Sequence, residues 1–290
     1  DAQQSAMLSH YMFNGLLLNP AYAGSKEYVS STLLYRKQWV GIDGAPVTYS
    51  GTIHGRVKKK NLGFGAILSQ DKIGVTKQTD FYASLSYHLP LGIARLSMGM
   101  QAGVTNFSSE VVKLTYWDPG DKVYDYNTYS SLLPNAGVGI YYYRPKFYAG
   151  LSAPYIFSYD NSQALALETG GPVHHLVRRY YATCGGVLET DRDIKLKPSI
   201  LIHMEHSAPV LFDLNLNVLL HDIFWVGASY RSSKAIVAIF EYQFSRRMRF
   251  GYSYDYTFGT LSSYTSGSHE LMIGYDFGYD ILKMKSPRYF

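Results

Sequence analysis

The chain has 290 residues, a formal net charge of +5, a mean hydropathy of −0.12 and a single cysteine; 16% of its residues are aromatic and 17% are charged. No apolar run reaches the roughly 18 residues that a membrane-spanning helix needs, and one cysteine cannot form an intramolecular disulfide. Many aromatic residues, few charged residues and intermediate hydropathy favour a closed β-barrel, which can also satisfy every backbone hydrogen bond within a bilayer.

Residues 1–26 form an irregular leader rather than a strand. Asn14-Gly15 and Asn19-Pro20 interrupt its apolar residues, and Gly24-Ser25 ends it. The pattern allows one short helical turn near Ser5–Phe13. The leader has neither the basic region nor the apolar stretch of a secretory signal, so we expect any signal peptide to have been removed already.

From Tyr28 onward, segments with alternating side chains recur to the end of the chain. Successive residues of a strand face opposite sides of a sheet, so these segments predict strands rather than helices. The predicted strands are Tyr28–Gln38, Pro46–Lys58, Leu62–Asp71, Val75–Leu89, Ile93–Phe107, Pro134–Tyr143, Phe147–Pro154, Val177–Glu189, Ile194–His206, Val210–Leu220, Phe224–Ser232, Ala235–Ser245, Met248–Phe258 and His269–Tyr279. The expected fold is all-β: a single transmembrane antiparallel barrel of about 14 strands over residues 27–280, followed by a basic C-terminal tail at 281–290.

The segment Phe250–Phe258 shows the alternation most clearly. Its Phe and Tyr residues occupy one face, and small or polar residues such as Ser253 and Asp255 occupy the other. In an outer-membrane barrel the aromatic face contacts lipid and the polar face lines the lumen. The alternative is an aromatic-rich secreted β-sandwich.

The lengths of the connections favour the barrel. The even-numbered turns are tight, as at 144–146 and 221–222, whereas the odd-numbered ones include the long segments 108–133, 155–176 and 259–268. Outer-membrane barrels have short periplasmic turns and longer outer loops, and a sandwich gives no reason for this alternation. We therefore assign the short turns, and with them both chain termini, to the periplasmic rim.

This rim is predicted to be basic. The candidate partner-binding residues on it are Lys58, Lys59, Lys60, Arg144, Arg246 and Arg247. A cationic face can dock an acidic periplasmic partner, although a solvated rim that avoids lipid is an equally good explanation. Nucleic acid is not expected, because no basic helix or basic–aromatic groove accompanies these charges.

The leader is too irregular to contact lipid and must be shielded by protein or water. We expect it to start at the periplasmic side and to pack into the lumen as a plug, since a barrel of 14 strands leaves space inside. Asn14, Asn19 and Tyr22 are the residues expected to bond to the polar inner wall, and Asp255 is the wall residue expected to bind the leader.

No motif for chemistry stands out. The sequence has no glycine-rich phosphate loop and no paired-cysteine metal motif, and no compact Ser/His constellation is readable. We therefore expect no catalytic residues, cofactor or metal, and enzymatic activity is the least favoured class of function.

Several stretches resemble the PorP/SprF family of type IX secretion and gliding-motility outer-membrane proteins. Those at the start are Tyr11–Asn14, Asn19–Gly24 and Tyr35–Pro46; those at the end are Gly267–Leu271, Tyr275–Phe277 and Ser286–Phe290. Gly15 departs from the pattern, because the family usually carries Pro after that first Asn.

The resemblance implies a non-enzymatic outer-membrane barrel, in contact with membrane lipids, that works with secretion machinery. One branch of the family associates with a periplasmic ring of a lipoprotein and its partner subunit; the other is paired with a large secreted adhesin and its C-terminal domain. In our topology the family stretch at Tyr35–Pro46 ends in the first outer turn, where Arg36 and Trp39 are candidates for partner binding or for an interfacial girdle. The alternative function is a passive channel or uptake barrel for a small solute, which an open lumen would favour.

Overall fold

A computed structural model describes residues 7–57, 60–109, 129–160, 175–205 and 208–278. Its strands are β1 (Val29–Lys37), β2 (Val47–Arg56), β3 (Leu62–Ile73), β4 (Thr76–Leu91), β5 (Ala94–Ser109), β6 (Tyr129–Arg144), β7 (Phe147–Tyr155), β8 (Tyr159–Asp160), β9 (His175–Leu176), β10 (Arg179–Gly186), β11 (Leu188–Glu189), β12 (Ile194–Glu205), β13 (Leu211–Leu220), β14 (Phe224–Arg231), β15 (Ala235–Tyr242), β16 (Met248–Thr257) and β17 (Ser268–Phe277). Fourteen of them pair in antiparallel order into a ring, which the pairings β1–β17 and β10–β12 close. The predicted 14-stranded barrel is confirmed.

The remaining three strands are short. β11 continues the course of β10 after an interruption at Val187 and pairs with β12, while β8 and β9 pair with each other outside the ring. β10 also carries an irregularity between Arg179 and Tyr181, where its register against β7 shifts.

The two faces of the barrel follow the alternation in the sequence. On β16, Phe250 and Tyr256 are exposed, whereas Gly251, Ser253 and Asp255 are buried. On β13, Asp213 and its alternate neighbours are likewise buried between exposed apolar residues. The predicted assignment of aromatic and aliphatic side chains to the outer face, and of polar side chains to the lumen, is confirmed.

The connections define two rims. The short-turn rim carries the connections at 57–61, 92–93, 145–146, 187–193, 221–223 and 243–247, and the long-loop rim carries the others. Length alone does not separate the rims, since the long-loop rim also contains the turns at 74–75 and 232–234. Gly74 has φ of +57°, the conformation that favours glycine in such a tight turn.

Three short 3-10 helices form the described part of the leader: η1 (His10–Phe13), η2 (Gly15–Leu17) and η3 (Pro20–Tyr22). η3 starts on a proline, and the side chain of Asn19 caps it by accepting a hydrogen bond from Ala21 N at 2.9 Å. No helix in the described part of the chain is long and apolar enough to cross a membrane.

Candidate functional site in the barrel lumen

The leader lies inside the ring of strands and runs along it from one end to the other. Met7 O accepts a hydrogen bond from Arg231, the last residue of β14, which places Met7 toward the long-loop rim. At the other end, Lys26 donates to Ser30 near the start of β1, at the short-turn rim. The described part of the leader therefore begins, at Met7, toward the opposite rim from the one expected for its start. A segment of about 20 residues is long enough to cross the lumen, so its starting rim does not follow from that of β1.

Two carboxylates hold the leader near the long-loop rim. Glu270 on β17 accepts hydrogen bonds from the backbone N–H groups of Ser9 and His10 at 2.7 and 2.8 Å, and its Oε1 lies 2.7 Å from His10 Nδ1. Asp255 on β16 accepts from Ser9 Oγ at 2.9 Å. Glu270 is fully buried, so each contact replaces water that the carboxylate lost on burial.

Two arginines neutralise these carboxylates. Arg36 lies 2.6 Å from Asp255 and 3.4 Å from Glu270, and Arg231 lies 2.9 Å from Asp255. Both guanidinium groups also donate to Ser9 Oγ, at 3.1 and 3.0 Å. The name anchoring cluster is used below for Ser9, His10, Arg36, Arg231, Asp255 and Glu270.

The middle of the leader packs into an apolar part of the lumen. Phe13 contacts Trp225 with ring centroids 5.7 Å apart, and both belong to a buried cluster that includes Leu34 and Met272. The ammonium of the fully buried Lys197 lies 4.9 Å from the Phe13 ring and 5.7 Å from the Trp225 ring, and donates to Met12 O at 3.1 Å. Lys197 thus joins a cation–π contact to a backbone hydrogen bond on one leader segment.

The three leader residues expected to bond to the wall differ in their contacts. Asn14 Nδ2 donates to Thr52 Oγ1 at 2.8 Å, and Asn19 Nδ2 donates to Ile140 O at 3.0 Å. Tyr22 instead packs edge-on against the rings of His54 and Tyr141, at 5.1 and 5.5 Å.

Glycines on the inner wall let the leader backbone approach closely. A Cβ added to Gly99 on β5 would lie 2.4 Å from Ala21 N, and one added to Gly63 on β3 would lie 2.4 Å from Ala23 O. These contacts are with backbone atoms of the leader, which cannot rotate away as a side chain can. The strands and the leader are therefore fitted to each other at backbone distance.

Hydrogen bonds to backbone carbonyl groups hold the leader near the short-turn rim. Ser86 Oγ donates to Ala23 O at 2.6 Å, and Arg56 donates to Gly24 O at 2.7 Å. Lys26, the last residue of the leader, is buried beside Asp276 and Arg249, and this burial lowers the pKa of its ammonium to about 8.

Arg36, one of the two candidates beside the first outer turn, is not on the surface, as a partner-binding role would require. Its side chain is only 3% exposed and points into the lumen, where it belongs to the anchoring cluster. Trp39 is half-buried beyond the end of β1, and its backbone N–H donates to Ser268 Oγ at 3.1 Å. The two residues are therefore not part of one exposed surface.

The short-turn rim has two sectors of opposite charge. Lys60, Arg144, Arg246 and Arg247 are exposed, and none forms an ion pair with another described residue; Lys58, Lys59 and the tail at 281–290 lie outside the described residues. Across the turns at 187–193 and 221–223, the exposed residues include the carboxylates Glu189, Asp191, Asp193 and Asp222. The prediction of a basic rim overlooked these acidic turns. Two of the four carboxylates are paired, Glu189 with Lys146 at 2.6 Å and Asp222 with Lys195 at 2.5 Å, and exposed Arg192 lies between Asp191 and Asp193.

Three residues that contact the leader were not singled out from the sequence: Glu270, Arg231 and Lys197. Each lies on the polar face of its strand, so the period-2 pattern predicts that its side chain points inward but does not predict its partner. Within the described residues, no group of three or more His, Cys, Asp or Glu side chains is arranged to hold a metal ion.

Comparison with protein families identifies the chain. The family described as "Type IX secretion system membrane protein PorP/SprF" matches residues 1–275. The chain belongs to this family. Among curated proteins, none matches this PorP/SprF chain.

Solved structures with the same fold are outer-membrane barrels of low sequence identity. The toluene transporter TbuX of Ralstonia pickettii is 9% identical, with 90% of this chain and 92% of that chain covered and a TM-score of 0.54. The CymD monoaromatic hydrocarbon channel is 12% identical, with 92% and 93% covered and a TM-score of 0.54. Omp33 of Acinetobacter baumannii is 8% identical, with 88% and 100% covered and a TM-score of 0.50. At these identities the similarity shows the fold alone, and fold and family together support a location in the outer membrane.

Proposed function

We propose that this PorP/SprF protein is a non-enzymatic docking component of type IX secretion, and that its barrel is a plugged scaffold. The filled lumen carries the proposal: buried contacts hold the leader at the long-loop rim, in the apolar middle and at the short-turn rim. A barrel that conducts solute needs a continuous path, whereas one that docks other proteins needs only stable rims.

The proposed docking face is the basic sector of the short-turn rim, defined by Lys60, Arg144, Arg246 and Arg247. These side chains are exposed and have no carboxylate partner among the described residues, so their charge is available to an acidic surface. The candidate partners are the ring lipoprotein and its partner subunit, or the C-terminal domain of a secreted adhesin. The acidic sector beside it would oppose a uniformly acidic partner and so restrict the orientation of docking.

Affinity capture of the purified protein from native membranes tests the proposal. Recovery of ring subunits supports the secretion-machine role, and recovery of a secreted protein's C-terminal domain supports anchoring. The double variant Arg246→Glu/Arg247→Glu should reduce recovery at least tenfold, because like charges facing each other across an interface cost several kcal/mol. A matched double reversal in the acidic sector, Asp191→Lys/Asp193→Lys, should not reduce it. Unchanged recovery with the arginine variant would remove this sector as the dock.

A passive channel is the second candidate. It draws support from a cavity of about 140 Å³ that remains in the lumen, and from a fold shared with a protein named as a hydrocarbon channel. Conductance in planar bilayers separates the two candidates. Steady conductance of the unmodified protein favours the channel, and ion-tight bilayers favour the docking scaffold.

A further inference from the structure

The lumenal cavity of about 140 Å³ lies toward the long-loop rim and has one strongly polar wall. Strands β2 to β5 supply this wall, which is called the acidic wall below. Its members are Thr48, Ser50, Ser69, Asp71, Gln78, Asp80 and Gln101. Strand pairing sets Thr48 opposite Asp71 and Ser69 opposite Asp80, so the two carboxylates are diagonal neighbours on one inner face.

Both carboxylates are fixed by neutral donors. Asp71 accepts from Thr48 Oγ1 at 2.7 Å. Asp80 is buried and accepts from Thr105 Oγ1 at 2.6 Å and from Gln78 Nε2 at 3.0 Å. Among the described residues, neither carboxylate has a basic group within ion-pair distance. The wall is therefore an organised negative surface without a counter-ion among these residues.

The basic lining residue Arg179 forms its ion pair with a different carboxylate. Arg179 faces the cavity but lies 3.3 Å from Glu205 and stacks over the Tyr155 ring. The leader contributes apolar side chains to the lining, including Leu8 and Leu17. The cavity thus combines two carboxylates with an apolar surface.

Three buried polar atoms that belong to lining residues also have no hydrogen-bond partner within the described structure. They are Ser50 Oγ, Gln101 Oε1 and His203 Nε2, on side chains that are at most 6% exposed. Buried polar groups are normally paired, so several unpaired atoms around one cavity point to an occupant with donors. Gln101 Oε1 is an acceptor only, which matches an ammonium or guanidinium group.

We propose that this cavity is a binding site for a cationic group on a short apolar stem, such as an alkylammonium ion or a lysine or arginine side chain. The cation would lie between Asp71 and Asp80, and the stem would lie against Leu8 and Leu17. A cavity of this size fits such a group, since an engineered apolar cavity of about 150 Å³ binds benzene. The site is separate from the proposed docking sector, because it lies in the lumen toward the opposite rim.

Ligand-detected NMR on the purified barrel in deuterated detergent tests the site. The probes are n-butylamine, n-butanol and butanoate, which share a stem but differ in charge. We expect saturable binding of butylamine that is at least tenfold tighter than that of butanol, and no binding of butanoate. Equal binding of amine and alcohol, or absence of saturable binding as in a cavity filled only by water, would overturn the proposal. Since this series uses the unmodified protein, it does not depend on any variant folding.

Substitution locates the site. Asp71→Asn should weaken butylamine binding at least tenfold, because a charge-assisted contact is lost while the side-chain shape is kept. Asp43→Asn is the matched control, since Asp43 is exposed on the connection from β1 to β2. Affinity that stays within twofold in Asp71→Asn, or that falls equally in both variants, would refute the assignment.

A blocked Ala-Lys-Ala tripeptide distinguishes the two sources of the cation. Binding of the peptide that Asp71→Asn weakens supports a side chain of a protein partner as the occupant. Binding of butylamine without the peptide supports a free small amine. Capture of secretion partners at the short-turn rim is measured separately, so failure of this site would leave the proposed function standing.

Discussion

Glu270→Gln should release the start of the leader while leaving the barrel folded. Gln keeps the length and shape of Glu but replaces one acceptor oxygen by a donor NH₂ group, which cannot accept from a backbone N–H. The native carboxylate accepts from Ser9 N and His10 N, lies 2.7 Å from His10 Nδ1, and is paired with Arg36. The substitution therefore removes a negative charge and at least one backbone hydrogen bond together.

The expected magnitude follows from these contacts. Hydrogen bonds to a charged group contribute about 1.5–3 kcal/mol each, but the contacts here share one carboxylate and do not add. Breaking a buried ionic pair by removing one partner costs about 3–5 kcal/mol. We therefore expect the free energy of opening the leader at Ser9 and His10 to fall by about 3–5 kcal/mol, which increases the open population by about 10²–10⁴-fold.

Hydrogen exchange measured on peptides from the leader provides the assay. Protection of the Ser9 and His10 amides should fall by this factor, because exchange reports local opening. Glu241→Gln is the matched control, since Glu241 is also a buried lumenal carboxylate but makes no hydrogen bond to a described leader residue. Heat-modifiable gel mobility verifies that both variants are folded. A loss of protection below tenfold, or an equal loss in Glu241→Gln, would refute the anchoring role of Glu270.

Two further predictions concern the path of the leader. Gly99→Ala should increase proteolysis of the leader, because its Cβ would lie 2.4 Å from Ala21 N. Gly51→Ala is the control and should not increase it, since its nearest contact would be 3.3 Å away on the lipid side. Equal cleavage of the two variants would contradict the close fit. In a cysteine-free background on intact cells, a membrane-impermeant thiol reagent should label Met7→Cys but not Ser245→Cys on the short-turn rim. The reverse pattern would contradict either the direction of the leader or the assignment of the rims.

The period-2 pattern was sufficient to predict the strands and their two faces, because it depends on each strand alone. Asp213 and Asp255 alternate with apolar neighbours, and that parity requires no knowledge of which strands pair. The same rule predicts that Arg36 points into the lumen, because it shares its face with Ser30 and Thr32. The nearby turn instead suggested a role at the surface. Parity along the strand is here more informative than proximity to a connection.

The course of the leader could not be predicted in the same way. A segment without periodicity has no face, and Asn14 or Asn19 can find carbonyl and hydroxyl partners at any height in a polar lumen. Its direction depends on Glu270, which lies 260 residues from His10 in sequence. The acidic sector of the short-turn rim does not follow from the turn pattern, because Asp191 and Asp222 are residues that favour turns as well as carriers of charge.

The kind of contact changes along the leader, and this bears on how the lumen could open. At the short-turn rim the leader continues directly into β1, so this end cannot leave without disturbing the barrel. Only the end near Met7 can peel away, and there the anchoring cluster supplies buried charged contacts. Opening would thus have to begin by breaking the anchoring cluster, for which Glu270→Gln is the most direct perturbation. If that variant conducts ions while the unmodified protein does not, the closed lumen is actively held, and a partner that opens it must displace the same contacts.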